Sequence, residues 1–383
     1  MKIGIEGQRL FRKKKHGMDM VALELIRNLQ LIDRINEYFI YIAPDEDTGC
    51  LTETPNFRIR VLDGGFYPKW EQMVLPNAAE KDGVDILHCT SNTAPIRTNI
   101  PMVVTLHDII YLEKSFVGIL KGKGTAYQRF GNIYRRYIVP KVVKKCKTLI
   151  TVSEFEKNRI RDFFKIDDIK VKAVYNGVSE HFRKIEDPLE LERIRIKYHL
   201  PEQYFFHLGN TDPKKNTKGV LAAFSDFRKK TGLDIPLVML DFEKSELEKL
   251  AQEINDPDII NHIHLTGYVI NTDLPAIYSM CSVFLYPSLR ESFGIPILEA
   301  MACGVPVITA NTSSMPEVSG DAAYFVNPFN YGEITQGIIK ILNDESLRKS
   351  LEQKGIQRAA MFSWRSMAES VLKLYENLHA QKT

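Results

Sequence analysis

Short apolar runs of strand character alternate with helical patterns along almost the whole chain, and this alternation limits the open folds more than any single motif. The first half offers KIGIEG (2 to 7), FIYIAP (39 to 44), FRIRVL (57 to 62), DILHC (85 to 89), MVVTLHD (102 to 108), TLITVS (148 to 153) and KAVYNG (172 to 177). The second offers YFFHLG (204 to 209), LVML (237 to 240), IHLTG (263 to 267), VFLYP (283 to 287), VPVIT (305 to 309) and AAYFV (322 to 326). Helical patterns fall between them, for example DMVALELIRNLQLI (19 to 32), NTKGVLAAFSDFRKK (216 to 230) and EITQGIIKILN (333 to 343). Strands joined by helical crossovers form parallel sheets covered on both faces, so the expected class is α/β with doubly wound sheets. A chain of 383 residues exceeds one ordinary core and fits two such domains. Ligands bind beyond the carboxyl ends of strands in these sheets, so two facing domains would form a cleft. The polar stretch SEHFRKIEDPLELER (179 to 193) is the expected join. It separates a first domain, 1 to 182, from a second, 183 to 363. The amphipathic segment WRSMAESVLKLYENL (364 to 378) comes after the second domain has used its strands, and the pattern alone does not say which domain it covers.

Composition excludes several classes. Five cysteines, Cys50, Cys89, Cys146, Cys281 and Cys303, are scattered without CxxC or zinc-type spacing. Reduced thiols in a cytoplasmic protein and no structural metal are therefore expected. MKIGIEG runs straight into a strand and lacks the apolar core of a signal peptide, and no apolar run reaches membrane-spanning length. Any membrane would be met from its surface. The net charge of +3 hides an asymmetry: residues 1 to 182 carry 29 Lys+Arg against 22 Asp+Glu, the remainder 22 against 26. The basic half is the one suited to an anionic partner. GxxxxGK[ST] and GxGxxG are both absent, which argues against an ATPase or a dinucleotide dehydrogenase with its usual phosphate loop.

Four places carry chemistry. Residues 291 to 304, ESFGIPILEAMACG, lie between two strand-like runs. Gly294 permits a tight turn and Pro296 suits the first helical position, placing Glu291 on the loop and Glu299 in the first helical turn. Backbone N–H groups at such a turn favour phosphate and the carboxylates suit hydroxyls, so the fitting ligand is a phosphate carrying a polyol. An ordinary βαβ unit with two solvated glutamates is the bland alternative; glycine, proline and flanking strands all agree against it. In YFFHLGNTDPKKNTKGV (204 to 220), Lys214 and Lys215 precede a helix expected near Asn216, and two ammonium groups beside a helix terminus suit a diphosphate, although a surface lysine pair is often merely solvated. His107 and Asp108 end MVVTLHD, where a histidine can donate to a hydroxyl or act as acid or base, or simply sit satisfied with Asp108 as partner. Gly17 precedes the first helix, where backbone can approach a ligand closely, and is equally at home in a plain loop.

The segment 114 to 147 holds ten Lys/Arg and no acid, with Tyr127, Phe130, Ile133, Tyr134, Tyr137 and Ile138 interleaved. It reads as a basic amphipathic helix on a membrane surface, or as a core-facing aromatic stripe with a solvated basic back. Nucleic acid would be drawn to the same charge.

As a set, these residues resemble the retaining GT-B glycosyltransferases of family 4, the glycosyl transferases group 1, over nearly the whole chain. The resemblance rests on HGMDMVALELIRNL, VVTLHDII, VSEFEKNRI, VYNGV, HLGNTDPKKNTKGVLAAF, HLTGYV, LYPSLRESFGIPILEAMACGVPVITANTSSMPEVSGDAA and the closing FSW before an amphipathic helix, in the family's order. It implies two Rossmann-like domains facing a cleft, with the last helix, 364 to 383, crossing back to the first. It also implies a nucleoside-diphosphate sugar as co-substrate, held mainly by the second domain, and a glycan or lipid-linked acceptor held by the first. By carry-over Glu291 lies near the donor sugar, and Ser292, Phe293, Gly294 and Ile295 supply backbone donors to sugar and diphosphate. Glu299 binds the ribose, Val269 lies by the base and Lys215 neutralises the diphosphate. Gly17 approaches the diphosphate and His107 contacts the transferring sugar. Where many members have an arginine after the strand glycine this chain has Asn210, which leaves Lys214 as the replacement charge. The N-terminal helix pattern resembles that of mannosyltransferase-like members, which implies GDP-mannose, with a UDP-sugar as the other donor. Lysines and helix termini can stabilise a leaving diphosphate, so no cofactor and no Mg²⁺ are expected. An anionic membrane surface met through Arg135, Arg136, Lys144 and Lys145 is expected, and nucleic acid is not. The competing readings are a nucleotide-sugar epimerase or hydrolase on the same frame, and a membrane or nucleic-acid binding protein using 114 to 147.

Overall fold

The computed structural model describes residues 1–113 and 126–381. The chain forms two compact units, one of Met1–Asn176 with the segment from Trp364 onward, the other of Gly177–Ser363. The division thus falls after Asn176 rather than after residue 182. Residues 177 to 182 belong to the second unit because the Val178 N–H donates to the Phe362 carbonyl (3.1 Å) and the Phe182 ring packs edge-on against Tyr278. Nor is the stretch 179 to 193 all linker. The Asp187 carboxylate accepts from the Leu189 N–H (3.0 Å) and Pro188 stands at the first position, a combination that opens the helix Pro188–Tyr198.

The first unit is built on a seven-stranded parallel sheet of β1 (Lys2–Glu6), β2 (Glu37–Ile42), β3 (Phe57–Val61), β4 (Ile86–Cys89), β5 (Met102–Thr105), β6 (Thr148–Thr151) and β7 (Val171–Ala173), in the order β3-β2-β1-β4-β5-β6-β7. The second has six parallel strands, β8 (Phe205–His207), β9 (Leu237–Met239), β10 (Ile263–Leu265), β11 (Val283–Tyr286), β12 (Val307–Ala310) and β13 (Tyr324–Val326), in the order β10-β9-β8-β11-β12-β13. Most of their Val, Ile, Leu and Phe side chains are buried, as strands covered by helices on both faces require, with Val61 of the edge strand β3 exposed. In the second unit Phe206, Tyr278 and Phe284 pack ring to ring at 5.1 to 5.4 Å. In each sheet the strand order reverses once, between β1 and β4 and between β8 and β11. Crossovers leave in opposite directions there, which opens a crevice beyond the carboxyl ends of those two strands.

The helix Trp364–Ala380 completes the first unit. It packs on the helix Gly17–Ile32 and buries Trp364, Met367, Ala368, Val371, Tyr375 and Leu378. His88 of β4 hydrogen bonds to the Tyr375 hydroxyl (2.6 Å) and to Thr105 Oγ1 (2.8 Å), and burial lowers its pKa to about 3, so the ring is neutral. Among the described residues no helix is long and apolar enough to cross a membrane.

Candidate active site

The switch point of the second sheet gathers the charged residues. Beyond β8 the backbone turns at Gly209, where a Cβ would lie 2.5 Å from Met239 Cε and 2.8 Å from Phe242 Cδ2, so only glycine fits without repacking. The Asp212 carboxylate accepts from the Lys214 N–H (3.1 Å), shaping the short 3-10 turn Pro213–Lys215. Asn216 then takes a left-handed φ of 58° and starts the helix Thr217–Thr231, its side-chain amide donating to the carbonyls of Pro287 (2.9 Å) and Pro328 (2.8 Å). The Leu289 N–H donates to the Lys214 carbonyl (2.7 Å). Two loops from neighbouring strands are thereby stitched together, and Lys215 is fixed at the seam.

Its ammonium donates to Glu291 Oε1 at 2.7 Å and to the Tyr286 hydroxyl at 3.0 Å, while that hydroxyl donates to the same Oε1 at 2.9 Å. Glu291 is buried, and burial together with the carboxylate raises the pKa of Tyr286, which stays a neutral phenol. The Glu291 N–H donates to Ser313 Oγ (3.0 Å) and Ser314 Oγ donates to the Glu291 and Phe293 carbonyls (3.0 and 2.9 Å), which fixes the loop from below. Phe293 sends its ring into the interior against Phe362, which leaves only its backbone to the loop surface. Ser292 is half-buried on the same loop.

Gly294, at φ 103°, caps the helix Ile295–Ala302. Pro296 therefore stands at the second helical position, not the first, and Glu299 in the second turn, not the first. The helix offers fewer donors than the spacing suggested: Pro296 has no N–H, and the Ile297 N–H donates back to the Gly294 carbonyl (3.0 Å). The half-buried Glu299 accepts from the Tyr278 hydroxyl (3.2 Å), and burial pushes its pKa up to about 7, so the carboxyl is only partly ionised at neutral pH.

Other expected residues lie elsewhere in the unit or serve local structure. Asn210 is exposed, with its backbone tied to Thr217 Oγ1 and its side-chain oxygen accepting from the Asp212 N–H (2.8 Å). The Lys214 ammonium lies 3.7 Å from Asp212 Oδ2. The Val269 side chain is buried in a loop between two exposed neighbours, Tyr268 and Ile270. Tyr286 was missed because, as the last residue of an apolar run, its hydroxyl counts as one more strand aromatic.

In the first unit Gly17 is the first residue of its helix rather than the residue before it, and a Cβ there would meet no atom within 4 Å. Packing does not demand glycine. His107 falls in the loop after β5 and not on the strand. It is buried, and its Nε2–H donates to the Thr90 carbonyl (3.0 Å), which leaves Nδ1 as the acceptor; burial lowers its pKa, so it is neutral. Its neighbour Asp108 accepts from the Ile110 N–H (3.1 Å).

The basic segment is only partly a free face. Lys114, Lys121 and Lys123 lie outside the described residues, and helix runs over Ala126–Lys145. Arg136 donates to the carbonyls of Tyr111 (2.9 Å) and Leu112 (3.3 Å), Arg135 lies over the Tyr111 ring and bonds Asn132, and Lys145 donates to the Ile96 carbonyl (2.7 Å). Three of the four cations expected to meet a membrane thus brace the unit. Tyr134 and Ile138 turn inward, Tyr134 to the buried Glu71. Phe130, Ile133 and Tyr137 stay exposed, with Phe66 beside Phe130 at 5.5 Å between ring centroids and Lys141 over the Tyr137 ring.

Residues 191–358 match the family model described as Glycosyl transferases group 1, and residues 17–182 that described as Glycosyltransferase Family 4. The chain belongs to the group 1 glycosyl transferases. This group 1 chain is 33% identical over 233 residues to the O-antigen chain mannosyltransferase B of Escherichia coli, covering 61% of each protein. It is 26% identical over 371 residues to the serotype-specific mannosyltransferase WbdA of Escherichia coli, covering 92% of this chain but 44% of that one. The matches therefore span less than two thirds of either relative. Among solved structures it resembles a sucrose-phosphate synthase from Thermosynechococcus elongatus (19% identity, 99% of both chains, TM-score 0.76) and the Anabaena protein HepE solved with UDP and glucose (17% identity, 98% of this chain and all of that one, TM-score 0.74). These likenesses establish the GT-B fold.

Proposed function

We propose that this chain transfers a hexosyl unit, with retention, from a nucleoside-diphosphate sugar to a glycan or lipid-linked acceptor in polysaccharide or cell-envelope glycan synthesis. The observation that carries the reading is the Lys215–Tyr286–Glu291 cluster at the switch point of the second sheet: a partly exposed ammonium, held by a buried carboxylate, where an α/β unit binds its ligand. Lys215 would draw off the charge that grows on the leaving diphosphate, with Lys214 in place of the arginine absent at Asn210. Glu291 would meet the donor sugar, the backbone from Ser292 to Ile295 the sugar and diphosphate, Glu299 the ribose and Val269 the base. On the first unit we assign His107 Nδ1 to a sugar hydroxyl and Gly17 to a phosphate. In the transfer the bond from the anomeric carbon to the phosphate oxygen breaks, the acceptor oxygen bonds to that carbon on the same face, and the acceptor proton passes to the departing phosphate. Relatives named as mannosyltransferases favour a mannosyl donor, and GDP-mannose is the first to test.

Thermal-shift titration with GDP, UDP, GDP-mannose and UDP-glucose tests the donor assignment. One nucleotide class should raise the melting temperature, since binding to the folded state alone stabilises it. Transfer by that donor with EDTA present, giving a product whose anomeric configuration matches the donor's by NMR, completes the test. Turnover that consumes donor without acceptor, or binding of neither nucleotide, would overturn the reading.

We also assign an anionic bilayer surface to the exposed face of the first unit that carries Phe66, Phe130, Ile133 and Tyr137, flanked by Arg129, Lys141 and Lys144. Serine at Phe66, Phe130 and Tyr137 together should cut flotation with phosphatidylglycerol vesicles several-fold. Flotation unchanged by the triple variant would remove this assignment without touching the donor site.

A further inference from the structure

Lys215 faces a conflict that its position makes visible. As it stands, its ammonium neutralises Glu291, a residue 8% exposed whose carboxylate takes both of its bonds on Oε1 from Lys215 and Tyr286. If the ammonium turns to a diphosphate, a mostly buried carboxylate loses its cation, and a buried charge left without its partner is strongly destabilising. Only a group that stays behind can offset that loss. The Tyr286 hydroxyl is such a group: it sits on the rigid last residue of β11, is buried, and already donates to Oε1 at 2.9 Å while lying 3.0 Å from the ammonium. It touches both partners and can let go of one without moving. Ser313 and Ser314 cannot do this, because their bonds go to the backbone of Glu291 and leave its carboxylate unserved.

We infer that Tyr286 is a positioning residue that keeps Glu291 in place when Lys215 transfers from the carboxylate to an anionic ligand. The inference rests on the assignment of Lys215 to a diphosphate. The ligand-free cluster is accordingly a closed three-way pairing that a diphosphate must open, and the hydroxyl lowers the free energy of opening it. No proton leaves the cluster in this exchange: the lysine keeps its three hydrogens and redirects one, and the phenol keeps its own.

The test is a double-variant cycle read by calorimetric titration with GDP and with UDP. In the wild-type background Tyr286→Phe should weaken binding of the nucleotide that binds by about ten-fold, the range expected for one lost hydrogen bond to a charged group. In a Glu291→Gln background the same substitution should change affinity by less than about two-fold, since a neutral amide needs no replacement when the lysine departs. A hydroxyl that merely held the fold together would lower the melting temperature of the ligand-free protein and weaken binding equally in both backgrounds. Equal loss in both, or no loss in either, overturns the inference. Should neither nucleotide bind the wild-type chain, the donor assignment fails and carries this inference with it; binding with a null cycle removes the inference alone.

Discussion

Replacing Lys215 by alanine should lower kcat/KM for sugar transfer by at least about 10²-fold, and by as much as about 10³-fold, the range seen when one preorganised donor to a developing oxyanion is removed. The size follows from where the ammonium sits. The Lys215 backbone is held by two loops stitched through the Leu289 N–H and the Asn216 side chain, so only its side chain has to turn from Glu291 to meet the leaving group. Lys214 cannot slide into its place, because the bond between the Asp212 carboxylate and the Lys214 N–H defines the turn that aims both side chains. The substitution also strands Glu291 with a phenol as its remaining side-chain partner, so the melting temperature should fall as well. Activity must therefore be measured well below the transition, on protein whose folding has been checked by circular dichroism. Lys215→Arg is expected to recover only part of the loss, since a planar fork is longer than an ammonium and cannot keep the 2.7 Å and 3.0 Å bonds together. Transfer within a few-fold of wild type in the alanine variant would refute the assignment of Lys215 to the diphosphate.

Ending the chain at Ser363 should unfold the first unit while leaving the second intact. The segment removed buries Trp364, Met367, Val371, Tyr375 and Leu378 against the first unit, and at roughly 1.5–3 kcal/mol per large apolar side chain their loss amounts to roughly 10 kcal/mol. That is comparable to the entire stability of an ordinary domain. His88 would lose the Tyr375 hydroxyl and face water across the newly opened sheet. Limited proteolysis should then cut rapidly within 1 to 176 and spare a fragment beginning near residue 177. Equal resistance of both units in the truncated chain would contradict this account.

Each of the thirteen strands overlaps a run legible in the sequence, because strands covered on both faces are mostly apolar, although β2, β7 and β12 extend past the ends of their runs. Their ends were less legible. Leu106 and Ile109 are wholly buried although the strand ends at Thr105, so apolar character persists past the strand and draws His107 onto a strand that has already ended. The helical stretch from Tyr67 to Asp82 carries Pro68 and Pro76, each in the first turn of its segment, where no N–H is required, so its pattern is less plainly helical than its fold. In Pro188–Tyr198 the charge of ELERIRIK hid the period that buries Ile194 and Tyr198. At the site, Glu291, Glu299 and Lys215 were legible from local spacing. Their pairing was not, since Lys215 and Glu291 are 76 residues apart and meet only because β8 and β11 are neighbours in the sheet.

The return of the last helix to the first unit also sets an order of assembly during synthesis. Residues 177 to 363 are contiguous, so the second unit has everything it needs before the helix Trp364–Ala380 is made. The first unit, although translated earlier, must wait with the sheet around His88 and the inner face of Gly17–Ile32 uncovered until that helix leaves the ribosome. The half of the protein that begins first therefore finishes last, and for most of its synthesis the nascent chain presents an unfinished apolar surface of the kind chaperones hold.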